Sequence, residues 1–304
     1  MVDKGKSPSQ DIGYVDLGTS VRSVYDATLT PQTEHGLAYQ NLRYSRRPIP
    51  SALTAKTSSM ISKTIYLCEE TSEELLFVVD VHTGYSGTGP LGLRPGIILY
   101  DGTSKKKDAL LAAAGYMNRW HVLALSVDSR IFLPPVMPEK TSTSLTKETM
   151  RAHTCADGGP AFTFSIVLER SGRLSRETFQ WRKCEDLKGR ELGKGGFKLL
   201  WIAAESEAGL GSNGGGGADL QPHGHASGQV VASFSRLTTL TAAISLRFEG
   251  DGLSGVLGDR WRIAVVITAL RLRILQMNGG TNKLLIEIGN KIYGKQRHLP
   301  INGL

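Results

Sequence analysis

Several residue patterns in this 304-residue chain could carry chemistry, and the first of them is glycine-rich. Gly87-Thr-Gly-Pro-Leu-Gly92 fits the glycine spacing of a dinucleotide-binding loop. In such a site the glycines open a helix whose N-terminal amides face the pyrophosphate. Here Pro95-Gly96 and the strand-like run Ile97–Tyr100 follow instead. The context therefore predicts a long connection between strands, and no cofactor is expected.

Histidine and cysteine pairs could suggest a metal site. His153 and Cys155 are separated by one residue, as are His223 and His225, within polar or glycine-rich stretches. A zinc site needs about four ligands held tetrahedrally by a structured scaffold. We therefore expect no metal. The sequence also has no G-x-S-x-G elbow, H-E-x-x-H helix or Walker lysine motif, so no catalytic residue is assigned.

The densest basic run is Lys105-Lys-Lys107, at the tip of a predicted hairpin. The chain has 36 basic and 28 acidic residues, a net charge of +8, and such an excess favours anionic partners. A solvated hairpin tip is the alternative. The candidate residues for contact with an anionic ligand, such as a lipid headgroup phosphate, are Arg94, Lys105, Lys106 and Lys107, which the strand pattern places on neighbouring loops. Nucleic acid is not expected, because aromatic residues are not interleaved with the basic ones.

The cysteine count and the apolar runs suggest a compartment. Cys68, Cys155 and Cys184 are too few for a disulfide framework and fit a reducing environment. The N-terminal segment lacks the apolar region of a signal peptide. No stretch reaches the 18 or more apolar residues of a membrane span. We expect a cytoplasmic or nuclear protein that is not secreted and has no transmembrane segment.

A β-rich domain must position these residues. Residues 1–58 are rich in Ser, Thr, Pro and Gln without an apolar period, so we expect a disordered or loosely docked leader. Residues 60–285 contain about ten short apolar runs separated by turn signals, which predict strands; one of these runs is Trp120–Val127. Residues 134–160 and 208–228 lack this pattern and are interpreted as inserted loops. Leu284–Ile288 predicts a short strand or helix, and residues 286–304 a tail.

The run Arg260–Met277 differs from the others. Asp259 is a suitable N-cap and Gly279-Gly280 a suitable end for a helix. Its middle is apolar on every side, so a helix there must be buried all round. β-branched residues such as Val265 leave a buried central strand as the alternative, but a length of about 18 residues favours the helix. The prediction is a mainly β fold, an antiparallel closed β-barrel around this hydrophobic C-terminal helix.

The order of these elements carries a resemblance to a known family. The segments concerned are His82–Gly102, Lys105–Gly115, Phe179–Arg182, Gly196–Leu200, Val230–Phe234 and Trp261–Arg273. They resemble uncharacterised filamentous-fungal proteins that are similar in layout to the tubby C-terminal-like superfamily, with its LURP-one-related and phospholipid-scramblase-like branches. The resemblance covers about residues 60–285 and implies a twelve-stranded antiparallel barrel around the helix. In the tubby branch basic side chains bind phosphoinositides, but no binding residue carries over to this chain position by position.

These patterns favour a non-enzymatic binding or scaffold protein whose partner is an anionic membrane lipid or another protein. The alternative is an enzyme or accessory factor of fungal metabolism that uses a ligand cavity inside the barrel. A barrel interior filled by the helix would favour binding, whereas an interior cavity lined by several titratable groups would favour the alternative.

Overall fold

The structure, a computed structural model, describes residues 44–57, 63–117, 127–136, 144–170, 172–184, 195–202, 228–236 and 242–293. Within these ranges the chain forms twelve strands followed by three helices. The strands are β1 (Ala52–Thr57), β2 (Thr64–Glu69), β3 (Leu75–His82), β4 (Gly96–Tyr100), β5 (Leu110–Tyr116), β6 (Ser129–Leu133), β7 (Thr146–Thr154), β8 (Pro160–Arg170), β9 (Arg173–Lys183), β10 (Phe197–Ile202), β11 (Gln229–Arg236) and β12 (Ala242–Phe248). The helices are α1 (Asp251–Ser254), α2 (Gly258–Met277) and α3 (Lys283–Tyr293).

The twelve strands form a closed antiparallel barrel. Each strand pairs with its neighbours along the chain, and β1 closes the barrel by pairing with β12, with Leu53 opposite Leu246. Closure is the arrangement that pairs strands which would otherwise be sheet edges. The predicted fold class, a closed antiparallel barrel with a hydrophobic C-terminal helix, is confirmed.

Two strands lie where the sequence analysis placed no sheet. β1 falls within the expected leader 1–58, and β7 falls within the expected loop 134–160. In β7 only Met150 and Ala152 are buried, and the other residues of the strand are polar. Alternate residues of a strand face opposite sides, so a strand with few apolar residues on its inner face resembles a loop in sequence.

Other expectations fall partly or wholly outside the described residues. These are the leader up to residue 43, the predicted strand Trp120–Val127 apart from its last residue, residues 208–227 of the second loop, and the tail from residue 294. The segment Leu284–Ile288, left open between strand and helix, belongs to α3. Helix α3 also extends past residue 286, where the tail was expected to begin.

Helix α2 occupies the interior of the barrel. Its residues from Ile263 to Leu272 are all buried, in one core with the inward side chains of the strands. It packs against β5, whose inward residues Ala112 and Ala114 are small. Aromatic side chains of β8 to β11 fill the remaining space, among them Phe164, Phe179, Trp181 and Phe234. A helix that is apolar on every side thus finds apolar partners in all directions.

A buried hydrogen bond near the middle of α2 links the helix to the wall. The Trp181 indole N–H donates to Thr268 Oγ1 at 3.0 Å, and that hydroxyl donates to the Ala264 carbonyl at 2.7 Å. Burying either group without a partner would cost free energy. The pair therefore favours one axial position of α2 relative to β9.

The barrel has two distinct ends, here named by the helix. The lower end is where α2 begins, and the upper end is where α2 ends. At the upper end, the side-chain amide of Gln276 donates to the carbonyl of Gly195, in the connection between β9 and β10, at 2.7 Å. Residues 44–50 cross the lower end. Tyr44 donates to the Val136 carbonyl at 2.5 Å, and Arg262 donates to the Ile49 carbonyl at 3.1 Å. Residues 44–50 thereby link the connection between β6 and β7 to α2.

Substitution of Val266 by Asp tests the position of α2. Val266 is 2% exposed, so a carboxylate there would be buried without a partner. An uncompensated buried charge costs about 3–5 kcal/mol, and we expect V266D to lose most of its soluble folded protein or to show a greatly lowered Tm. V256D is the matched control, because Val256 is 53% exposed, and should melt close to wild type. A V266D protein that melts with wild type would place α2 outside the core.

Candidate functional site

The interior of the barrel is filled by protein side chains. Phe77, Phe164 and Trp181 point inward and are each at most 2% exposed, and Trp261 and Leu272 of α2 are fully buried among them. The inward side chains of the strands and those of α2 therefore share one buried core.

The three predicted lysines lie together in the connection between β4 and β5, at the lower end. Lys106 and Lys107 are exposed, whereas Lys105 is partly buried and forms an ion pair with Asp80 of β3. The Asp108 carboxylate accepts a backbone N–H of the same connection at 2.8 Å. We call this connection, residues 101–109, the lysine turn. It presents two ammonium groups to solvent from a hydrogen-bonded loop.

Arg94 lies at the opposite end of the barrel from the lysine turn. It belongs to the connection between β3 and β4, and successive connections of an up-and-down barrel alternate between the two ends. Its guanidinium donates to the carbonyls of Met117 at 3.1 Å and Leu91 at 3.4 Å. The expectation that Arg94 and the lysines lie on neighbouring loops is therefore wrong, because the length of β4 separates them. Arg94 fixes the backbone of its own end instead.

The structure brings a different arginine to the lysine turn. Asp101, the first residue of the turn, accepts the Ser45 hydroxyl at 2.6 Å and the backbone N–H of Arg46 at 3.1 Å. The Arg46 side chain is 72% exposed, and its Nε lies 4.0 Å from the buried Asp101 carboxylate, with which it forms an ion pair. Sequence analysis missed Arg46 because the run Ser45-Arg-Arg-Pro was assigned to the leader. Its two adjacent arginines were the available signal.

The glycine-rich connection of Gly87–Gly92 covers an apolar patch. Leu91 is fully buried and packs on the outer wall of the barrel against Ile98, Ala113 and Phe132. The connection leads into β4 and not into a helix. The structure thus agrees with the interpretation of this motif as a long connection between strands.

Two buried arginines on α2 differ in how many of their guanidinium nitrogens donate hydrogen bonds. Arg260 is 4% exposed and uses three nitrogens, with Nε donating to the Pro134 carbonyl at 2.9 Å, Nη1 to the Val167 carbonyl at 2.7 Å and Nη2 to Thr146 Oγ1 at 2.8 Å. Burial lowers the pKa of Arg260, but its hydrogen bonds satisfy acceptors that would otherwise be buried unpaired.

Arg271 is fully buried and less well satisfied. Its Nε donates to Ser129 Oγ at 2.9 Å, and its Cζ lies 4.0 Å from the centroid of the Tyr116 ring. No described residue accepts a hydrogen bond from Nη1 or Nη2. Burial lowers the pKa of Arg271 to about 10, and Tyr116 opposes this effect. A cation whose pKa falls on folding destabilises the folded state at neutral pH, and that cost is relieved as the pH rises above 10.

A groove of about 690 Å³ opens on the outer wall over β7, β8 and β9. Its lining is mostly polar and includes Lys147, Glu148, Thr149, Arg151, His153, Thr163, Ser165 and Arg176. Sequence analysis missed it because residues 134–160 were interpreted as a loop. The alternation of Lys147, Thr149, Arg151 and His153 along one face was the signal that could have predicted a strand with a polar outer side.

Histidine, cysteine and carboxylate side chains are dispersed. In the part of the chain that the structure describes, no three of them are grouped so as to hold a metal ion. Cys68, Cys155 and Cys184 are free thiols, and burial raises the pKa of all three. They are therefore protonated, poorly nucleophilic thiols near neutral pH.

The comparisons with known proteins give no relative. No family model, no curated protein and no solved structure matches this chain. Within the described ranges, no helix has both the length and the hydropathy required to cross a bilayer.

The two buried arginines should respond differently to replacement by methionine. R260M leaves the Pro134 and Val167 carbonyls without their donor and should lower the free energy of unfolding by roughly 2–4 kcal/mol. R271M removes an incompletely paired buried charge at the cost of one hydrogen bond and the contact with Tyr116, so its loss should be smaller by about 2 kcal/mol. Urea denaturation of both variants is the measurement. Equal losses would contradict the difference in hydrogen bonding between the two sites.

Proposed function

We propose that this protein is a non-enzymatic binding or scaffold protein that docks weakly on anionic membrane surfaces through its lower end. The residues concerned are Lys106 and Lys107 of the lysine turn, with Arg46 beside them. A cytoplasmic or nuclear location belongs to the same proposal. The closed twelve-stranded barrel around a C-terminal helix is compatible with the tubby-like fold, and membership of that superfamily is likewise proposed.

The observation that carries this proposal is the filled interior combined with cations presented on an ordered turn. Core side chains such as Phe77 and Trp261 occupy the space that the alternative function would need for a ligand cavity. Lys106 and Lys107 extend into solvent, and Asp101 holds residues 45 and 46 against the same turn. A binding role at the surface is therefore favoured over chemistry inside the barrel.

The charges set the expected strength of the interaction. Each basic residue near an anionic membrane contributes about 1 kcal/mol. Lys106 and Lys107 together would supply about two such contributions. Lys105 and Arg46 would supply less, because they are paired with Asp80 and Asp101. Screening at physiological salt limits the reach of these charges to about 8 Å. The attachment should thus be modest, sensitive to salt and without insertion.

Co-sedimentation with vesicles of phosphatidylserine or phosphoinositide tests the proposal. Wild type should pellet at low salt and be released at high salt. K106A/K107A should lower the partition coefficient roughly 10- to 30-fold, because it removes two contributions of about 1 kcal/mol. K183A/K291A is the matched control, since both lysines are exposed and lie away from the lysine turn, and it should pellet like wild type.

Two outcomes would count against the proposal. Equal pelleting of the two double variants would remove the lysine turn from the interaction. Failure of wild type to pellet at low salt would remove the membrane proposal itself.

A further inference from the structure

The groove on the outer wall lies where two neighbouring strands, β7 and β8, separate from each other. β7 pairs with β8 from Met150, opposite Phe164, to Thr154, opposite Pro160. Its earlier residues, from Thr146 to Met150, pair with β6 on the other side. Between the first half of β7 and the second half of β8, the described residues therefore form no ladder, and the wall opens outward.

Two arginines satisfy the carbonyls that this opening leaves on β8. From the outer side, Arg176 donates to the Ser165 carbonyl at 3.2 Å. From the interior, Arg260 donates to the Val167 carbonyl at 2.7 Å. The Ser165 and Val167 carbonyls therefore already have partners and are not left unpaired for an added strand. Polar side chains on the rim can also reach a ligand there.

The rim carries a net positive charge. Glu148 is the carboxylate of the lining, but its side chain is only 10% exposed and binds Arg176 at 2.6 Å. Lys147 and Arg151 are exposed, and neither has a carboxylate within 4.0 Å among the described residues. Two cations on the groove are therefore without an acidic partner from the described chain, and Thr149 lies between them on the same face.

The spacing of these cations selects among anionic ligands. Lys147 and Arg151 are four residues apart on one face of β7, which at about 3.4 Å per residue separates their Cα atoms by about 14 Å. A single phosphate group would contact both only if the two long side chains bent toward each other. An extended peptide has the same repeat as the strand, so acidic side chains on its alternate residues would meet both cations.

We propose that this groove binds an extended acidic segment of a partner protein. Carboxylates of the segment contact Lys147 and Arg151, and the hydroxyls of Thr149, Thr163 and Ser165 supply hydrogen bonds to its polar groups. The site differs from the lysine turn in position and residues, so it gives the protein a second, protein-directed surface in addition to the proposed membrane contact.

Fluorescence anisotropy with a labelled ten-residue Glu-Thr repeat peptide tests the proposal, because its acidic side chains all fall on one face when extended. Wild type should bind this peptide, and the Gln-Thr repeat at least tenfold more weakly. K147A/R151A should weaken binding at least tenfold, while K147R/R151K should retain it. K106A/K107A is the matched control and should bind the peptide like wild type. K147A/R151A should in turn pellet normally with vesicles, which separates this proposal from the membrane proposal.

Several results would overturn the inference. These are no binding of the Glu-Thr peptide by wild type, equal binding of the Gln-Thr peptide, equal binding by K147A/R151A, and tighter binding of a ten-nucleotide oligothymidylate that the same variant loses. The last result would assign the groove to nucleic acid. Displacement of the labelled peptide by inorganic phosphate at lower concentration than by unlabelled peptide would likewise overturn the extended-peptide assignment.

Discussion

The burial of α2 on every side is the constraint on which the rest of this structure depends. A helix with apolar residues around its whole circumference has no face that can meet water, so one sheet packed on one side would leave part of it exposed. Twelve strands that close on themselves solve this problem. The wall adapts to the helix by using small side chains at Ala112 and Ala114 and large ones at Phe164 and Trp181.

The fold class could be predicted because its strongest signal is local. The run from Arg260 to Met277 is long, its middle is apolar on all sides, and helix-ending glycines follow it. These properties need no tertiary information. The strands that were predicted have apolar, β-branched sequences, as in Leu75–His82. β7 was missed because it has only Met150 and Ala152 on its buried side, and polar residues on its outer side. Its place in the barrel follows from pairing with β6 and β8, which is non-local.

The candidate surfaces were less predictable, because charge in a sequence does not reveal which groups pair in space. The lysine run was found, yet Lys105 is bound to Asp80, a residue far earlier in the chain. Arg94 and Lys106 are close in sequence but separated by a whole strand in the barrel. Conversely, Arg46 reaches the lysine turn through Asp101, a contact across about fifty residues of sequence. The groove could not be predicted, because it depends on how β7, β8 and β9 pair with one another. No local sequence pattern encodes that pairing.

The position of α2 after all twelve strands in the element order also has a consequence for how the molecule is assembled. On the ribosome, all twelve strands emerge before α2, so the inward aromatic side chains must wait for the segment that covers them. β1 and β12 are the last pair to be available, and their contacts join residues such as Leu53 and Leu246. Long sequence separation between contacting residues slows folding, and unpaired strands with exposed apolar surface are prone to aggregate in the meantime. The nascent chain should therefore be a client of chaperones until the helix is released into the barrel.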